Sequence, residues 1–415
     1  MSEDNELDSL RQLIQQQLAN PGSLNADKLI GSGISDANSL TKEQFIEKCP
    51  FTTKSEIVTD HQHNPPFGSN LCQDLQLYSK LSKTSGTSGE PISWLDTSHD
   101  WSNMLDAWDF IYSAADLKIG TDVIYFAFSF GPFLGFWTAY EAASRKGYLT
   151  VPGGGLSSES RIDSINDCGA TVLCCTPTYA MRLGEVNSDT SETSINKIIV
   201  AGEPGGSIPS IRKRISDLWS GAEVIDHHGM TEVGPVTFQS SSDPCTLSVI
   251  PGYHLSEVID IESGKEVVTG EEGELVLTTL KRSDNALLRY RTGDLVKKTV
   301  TMVNGQELLS FEGGVLGRID DMVVIRGVNI YPSAIDSVIS EYVDISEYRV
   351  VVRDERSMKE IQVLVNIRTN SEDDELILKI EDKLKSVFSL RIPVKNVKNE
   401  ELERFEFKAR RWITE

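Results

Sequence analysis

Apolar positions Leu7, Leu10, Leu13, Ile14 and Leu18 recur at helical spacing over residues 6–19 and predict a helix that docks on the body of the protein. A second helix is expected near Thr41–Cys49. His61 and His63 fall in a polar stretch with two prolines close behind, and read as a solvated loop with no third metal ligand nearby. Further on, the pattern alternates. Strands are expected at Asp122–Phe128, Thr171–Cys175, Lys197–Ala201 and Glu223–Asp226, and helices at Phe133–Arg145, Tyr179–Val186 and Ile208–Trp219. Strands that alternate with helices imply right-handed crossovers and a mostly parallel sheet, whose ligands sit at the carboxyl ends of the strands. From about Pro235 to Lys298 the helices give out and short strands with turns predict a β-rich subdomain. The remainder reads as a small α+β unit, with helices at Pro332–Glu341 and Asp373–Phe388 and strands near Tyr348–Arg353 and Glu360–Ile367. The expected fold class is therefore α/β: a large N-terminal domain with mostly parallel sheets flanked by helices plus a β-rich subdomain, then a small α+β C-terminal domain. The boundary falls near Arg318–Asp320, giving domains 1–318 and 319–415.

Charge changes the picture by exclusion. A net charge of −22 over 415 residues argues against unaided binding to nucleic acid or to an anionic membrane, both of which rely on basic patches. Met1 is followed by acidic and polar residues, so no signal peptide is visible, and no apolar stretch is long enough to span a bilayer. The six cysteines are scattered, with Cys174-Cys175 in an apolar run, which fits reduced, buried thiols in a cytoplasmic protein.

The candidate chemistry centres on Lys83-Thr84-Ser85-Gly86-Thr87-Ser88-Gly89-Glu90-Pro91, where six of nine residues are Gly, Ser or Thr. Glycine lets backbone N–H groups turn towards one point and the hydroxyls add donors, an arrangement suited to a polyanion such as a nucleotide triphosphate. No Gly-Lys-Ser/Thr closes the loop, so it is not a Walker loop. Two loops leave carboxyl ends of the expected strands with unusual chemistry: Ala201-Gly202-Glu203-Pro204-Gly205 and His227-His228-Gly229-Met230-Thr231-Glu232. Downstream stand Leu288-Arg289-Tyr290-Arg291-Thr292-Gly293-Asp294-Leu295, then Gly317-Arg318-Ile319-Asp320-Asp321 and Ile325-Arg326-Gly327-Val328-Asn329-Ile330-Tyr331-Pro332.

In this order the motifs KTSGTSGEP, AGEPGG, HHGMTEVGP, LLRYRTGDL and GRIDDMVVIRGVNIYP closely resemble the adenylate-forming superfamily, and their spelling resembles its phenylacetate–CoA ligase branch. The resemblance runs from about residue 45 to the C-terminus. It implies two steps. A carboxylate attacks the α-phosphate of Mg-ATP to give acyl-AMP and pyrophosphate, and a thiolate, normally coenzyme A, then displaces AMP. It also implies roles for matching residues. Thr84, Ser85, Gly86, Thr87, Ser88 and Gly89 would wrap the β- and γ-phosphates, with Glu90 standing where the family often has a lysine. Gly202, Glu203 and Pro204 would border the adenine. His228, Gly229, Met230 and Thr231 would line the base and α-phosphate, and Glu232 would hold Mg²⁺, a hard cation that prefers carboxylate oxygen. Asp294 would accept from the ribose hydroxyls, and Arg318 would lie near the ribose and phosphates. Asp320 matches the hinge about which a mobile small domain swings. Arg326 and Gly327 would then join the thiol channel, and Lys408 would bridge carboxylate and α-phosphate during adenylation, although FEFKARR departs from the usual approach to that lysine and Arg410 and Arg411 lie close by.

Phe130 and Phe133 fall where the family lines its acyl pocket, and equally suit a structural core. His228, Cys245 and His254 raise a zinc site, since some relatives carry a structural metal here, with irregular spacing and no evident fourth ligand. The resemblance thus implies an ATP-dependent acid–CoA ligase (AMP-forming) acting on an aryl or arylalkyl acid such as phenylacetate. Its partners would be the acid and coenzyme A, without nucleic acid or membrane, and relatives of the branch are often homodimers. Two alternatives stay open: adenylation with another acceptor, either a carrier protein or a phenol that takes AMP, and a nucleotide- or acyl-binding protein that has lost catalysis.

Overall fold

The computed structural model describes residues 3–84, 91–187, 193–326, 328–355, 358–368, 373–398, 402 and 411–415. Five strands form one parallel sheet in the order Leu149–Pro152, Val123–Phe126, Val172–Cys175, Lys197–Val200, Glu223–Asp226. Val172–Cys175 is buried along its whole length, as strands covered on both faces must be. One face packs on a cluster around Trp108, Phe126, Cys174, Ile199 and Ile225, and the other on a cluster around Tyr125, Leu173, Ile198, Leu183 and Trp219.

The first face is covered by a 17-residue helix, Ser98–Ala114, that the sequence reading passes over. Its Trp101, Leu105, Trp108 and Tyr112 are buried at i, i+4, i+7 and i+11, and Thr97 caps it by accepting from the Asp100 N–H at 3.2 Å. His61 and His63 correct a second reading. They lie not in a loop but in the last turn of the helix Lys54–His63, which opens on a capping box between Thr53 and Glu56. The first helix, Glu3–Leu18, buries Leu10, Leu13 and Ile14 against Leu255, Leu280 and Leu288, so it docks as expected. Each such side chain contributes about 1.5–3 kcal/mol.

The β-rich subdomain is a six-stranded antiparallel sheet in the order Thr237–Gln239, Thr246–Val249, Gln306–Arg318, Tyr290–Val303, Glu272–Thr279, His254–Ile259. It extends past the expected end at Lys298, because Tyr290–Val303 and Gln306–Arg318 form one long hairpin. A short 3₁₀ turn, Ile319–Asp321, follows directly. Beyond it the helices Pro332–Ser340 and Asp373–Phe388 pack on a four-stranded sheet with its own core around Ile335, Val350, Val363 and Leu384.

All six cysteines are free. Burial pushes the thiol of Cys49 up to about 12 and that of Cys72 up to about 11, and raises Cys168, Cys174, Cys175 and Cys245 as well. Among the described residues no helix is long and apolar enough to cross a membrane.

Candidate active site

Two loops at the carboxyl edge of the parallel sheet meet the end of the long hairpin. Strand Lys197–Val200 runs into Gly202-Glu203-Pro204, where Gly202 takes φ +92°, a conformation that costs glycine little. Glu203 Oε1 accepts the Thr178 N–H at 2.7 Å, which anchors the loop to the start of the helix Pro177–Val186. A Cβ on Gly206 would stand 2.5 Å from Asp226 Cγ, so only glycine fits between the loop and the last strand. Burial pushes the Asp226 carboxyl up to about 6, although Ser207 Oγ donates to it at 2.6 Å.

Gly229–Met230 pairs with Gly234–Pro235 in a tight hairpin whose turn carries Thr231 and the buried Glu232. His228 precedes it, and its Nε2 lies 3.0 Å from Asp294 Oδ2. Asp294 and Arg318 face each other across the long hairpin, and Arg318 Nη1 donates to Asp294 Oδ1 at 2.9 Å. Arg318 Nη2 reaches the Thr292 carbonyl at 3.2 Å and stands 3.7 Å from Asp320. Burial alone would lower the Arg318 pKa, but Asp294 and Asp320 raise it on balance. The His228–Asp294–Arg318 row is therefore a polarised line of partners with a half-exposed cationic end.

A cavity of about 630 Å³ opens beside that end. Gly202, Glu203, Pro204, Arg318 and Asp320 line one side, and Asp336, Glu347 and Arg411 of the C-terminal unit line the other. Arg411 is already engaged: its Nε donates to Glu347 at 2.8 Å and its guanidinium lies 4.7 Å from the Tyr348 ring centre. Contacts cross between the units at the rim. Arg214 donates to the Ile345 carbonyl at 3.0 Å, Glu185 pairs with both Arg214 and Arg368, and Ser210 bonds Ser337 and Ser340.

Thr84 closes the base of the Gly/Ser/Thr loop. Its N–H donates to the Ile92 carbonyl at 3.0 Å, and its Oγ1 accepts from the Ile92 N–H at 2.9 Å. The flanking strands, Tyr78–Lys83 and Ser93–Thr97, pair antiparallel. Ser85, Gly86, Thr87, Ser88, Gly89, Gly327 and Lys408 lie outside the described residues. Arg326, at φ +50°, is not among the residues that line the cavity and pairs with Glu360 at 2.5 and 2.7 Å.

Phe130 sits in an aromatic cluster, 4.6 Å from Phe128 and 4.8 Å from Trp137 between ring centres, whereas Phe133 is 45% exposed. The zinc set is corrected. His228 is held by Asp294, and His254 Nε2 lies 3.2 Å from the Val233 carbonyl, its ring pushed down to about 4 by burial. Cys245 sits in a turn where its N–H donates to Asp243. Among the described residues, the one group of three potential ligand residues with converging atoms is His99, Asp100 and Asp284 instead. Those carboxylates already accept from the Ser283, Asp284, Gln16 and Thr97 donors, which makes them a structural knot.

Sequence reasoning missed the strut behind the site. Arg282 makes a two-pronged pair with Asp96 at 2.6 and 2.8 Å, and its Nη1 donates to the Thr231 carbonyl at 2.6 Å. It is almost wholly buried and ties the Gly/Ser/Thr hairpin to the Thr231 turn. Nothing local marks it, because Arg282 stands in the polar run Lys281-Arg282-Ser283-Asp284-Asn285, where a charged residue is expected at the surface.

The AMP-binding enzyme family matches residues 82–280, and the AMP-binding enzyme C-terminal domain matches residues 327–415. The phenylacetate–coenzyme A ligase of Thermus thermophilus is 29% identical over 78% of this chain and 72% of that protein. The phenylacetate–coenzyme A ligase of Escherichia coli is 27% identical over 79% and 74%. A 2-hydroxyisobutyryl-CoA ligase in its post-adenylation state superposes with a TM-score of 0.91 at 26% identity, covering 99% of this chain and 89% of that one. The same ligase in its thioesterification state, with coenzyme A, scores 0.73 at 25% identity and the same coverage.

Proposed function

Because the chain belongs to the AMP-binding superfamily of adenylate-forming enzymes and is an AMP-forming acid–CoA ligase of the phenylacetate–CoA ligase-like group, we propose that it activates an aryl or arylalkyl acid such as phenylacetate. The His228–Asp294–Arg318 row beside a cavity that both units line supports the nucleotide site, and the similarity to phenylacetate–coenzyme A ligases at 27–29% identity supports the acid class.

In this reading Asp294 accepts from the ribose hydroxyls, Gly202, Glu203 and Pro204 flank the adenine, and Arg318 stands by the phosphates. Glu232, buried at the Thr231 turn beside Tyr290, fits a Mg²⁺ ion, which takes one or two carboxylates and completes its shell with water and phosphate oxygen. The ion would offset charge on the triphosphate. The carboxylate oxygen bonds to the α-phosphorus as the bond to pyrophosphate breaks. Later the thiolate sulfur bonds to the acyl carbon, and AMP leaves. Both steps gather negative charge, so the protein contributes position and fixed dipoles. Asp320 at the 3₁₀ turn is the proposed hinge between residues 1–318 and 319–415, and the six free cysteines support a reducing, cytoplasmic setting.

The test is pyrophosphate release from Mg-ATP across aryl, arylalkyl and short-chain acids, with and without coenzyme A. Release that needs one acid and speeds up with coenzyme A is expected. Release indifferent to coenzyme A would point to another acceptor, and none with any acid would sink the ligase reading.

The rim contacts belong to one arrangement of the units, so weakening them should tilt the cycle. Glu185→Ala removes the partner of both Arg214 and Arg368. Adenylation should slow about 2- to 5-fold, the worth of partly exposed ion pairs. Thioester formation from supplied acyl-AMP should hold or rise, and an equal fall in both half-reactions would refute the assignment.

A further inference from the structure

One polar side chain at the site is left with nothing to bond. His227 is 6% exposed, and neither ring nitrogen has a hydrogen-bond partner among the described residues. His228 and His254 each have one ring nitrogen engaged. The His228 backbone lies near enough to His227 to favour its charged form slightly, yet neither nitrogen meets it in hydrogen-bond geometry. A neutral imidazole carries one donor and one acceptor, and a buried ring with neither bonded to a protein group is uncommon enough to need a reason.

Its position supplies one. The ring packs edge-on to Trp108 at 4.6 Å between centres, and Trp108 Nε1 donates to Thr138 at 2.9 Å. Next to Thr138 stands Trp137, whose ring meets Phe130 and so joins the aromatic cluster. On the other side the adjacent residue, His228, holds Asp294. His227 is thus linked to the nucleotide row through His228 and to the aromatic cluster through Trp108, Thr138 and Trp137. In an acyl adenylate the acyl carbon is joined through one phosphate to the ribose, so the first carbons of the acid belong near that link.

We propose that His227 is a specificity subsite that hydrogen-bonds a hydroxyl on the α or β carbon of the acid. The inference rests on the ligase reading. Burial holds the ring down to about 3, so it meets its ligand uncharged at any working pH. An uncharged ring that can both donate and accept suits a hydroxyl, which does the same, better than a second carboxylate or an ammonium group. The aromatic cluster would take the rest of the acid.

Matched acids test it in the full-length protein: 2-hydroxyisobutyrate against isobutyrate, 3-hydroxybutyrate against butyrate, and mandelate against phenylacetate. The readout is kcat/KM for acid-dependent pyrophosphate release. In at least one pair the hydroxy acid should be preferred by about 10- to 100-fold, the range for a buried polar group left unpaired by the wrong ligand. His227→Leu should abolish that preference, chiefly by losing the hydroxy acid, while His227→Gln, which keeps a donor and an acceptor, retains part of it. Equal use of both members of every pair by the unaltered protein overturns the subsite and leaves the ligase reading intact. So does a proportional loss for both members in His227→Leu, the mark of a structural histidine. Should His227→Leu fail to fold, the preference of the unaltered protein and its partial survival in His227→Gln decide the matter. No release with any acid overturns the ligase reading, and this inference with it.

Discussion

Asp294→Ala should raise KM for ATP about 10- to 100-fold, with a smaller fall in kcat. Asp294 is 3% exposed and offers two oxygens, one to Arg318 and one to His228. Each carboxylate oxygen keeps a further lone pair, which in the proposed site would accept from a ribose hydroxyl. A hydrogen bond to a charged group contributes about 1.5–3 kcal/mol, which sets the range of the loss. Arg318 would also lose the partner that aims it, so the phosphates should be held less well in the same variant. Asp294→Asn keeps an acceptor but not the charge, and should fall between the two. Titration calorimetry with AMP separates binding from chemistry. An unchanged AMP affinity in Asp294→Ala would remove this residue from the nucleotide site.

Lys408→Ala should slow acyl-adenylate formation by about 10²- to 10³-fold, the cost of removing one preorganised transition-state donor. The carboxylate and the α-phosphate are both anionic, and two unit charges 4 Å apart at an effective dielectric constant of 20 repel by about 4 kcal/mol. A cation between them offsets that repulsion during the first step only. Thioester formation from supplied acyl-AMP should therefore be spared. The nearby Arg411 cannot stand in, because Glu347 and Tyr348 already hold it. Survival of both half-reactions in Lys408→Ala would refute the assignment, and equal loss of both would indicate a damaged fold.

Local signals were legible along the chain, and contacts between distant segments were not. The helix Asp373–Phe388 and the parallel strands followed from periodicity, because a strand buried on both faces is a short apolar run and an amphipathic helix a 3.6-residue stripe. The capping box at Thr53 and Glu56 was equally local, and it outweighs the two prolines that made His61 and His63 look like loop. The helix Ser98–Ala114 carries a clear apolar stripe, but Asp, Ser and Asn between the tryptophans obscure it. Motif order alone joins His228, Asp294 and Arg318 in one hypothesis. The pairing of Arg282 with Asp96 spans 186 positions, and nothing in either segment names the other. The orphaned nitrogens of His227 were invisible for the same reason: a missing partner can be seen only when every neighbour is in place.

The state of the cysteines bears on what an acyl adenylate could do inside this protein. Such a mixed anhydride is an electrophile, formed to be captured by an external sulfur, and any resident thiolate would compete for it. Every cysteine of the chain is free, and burial keeps each one in its protonated, weakly nucleophilic form. Self-acylation is thereby disfavoured. The same protonation disfavours exchange with oxidised coenzyme A.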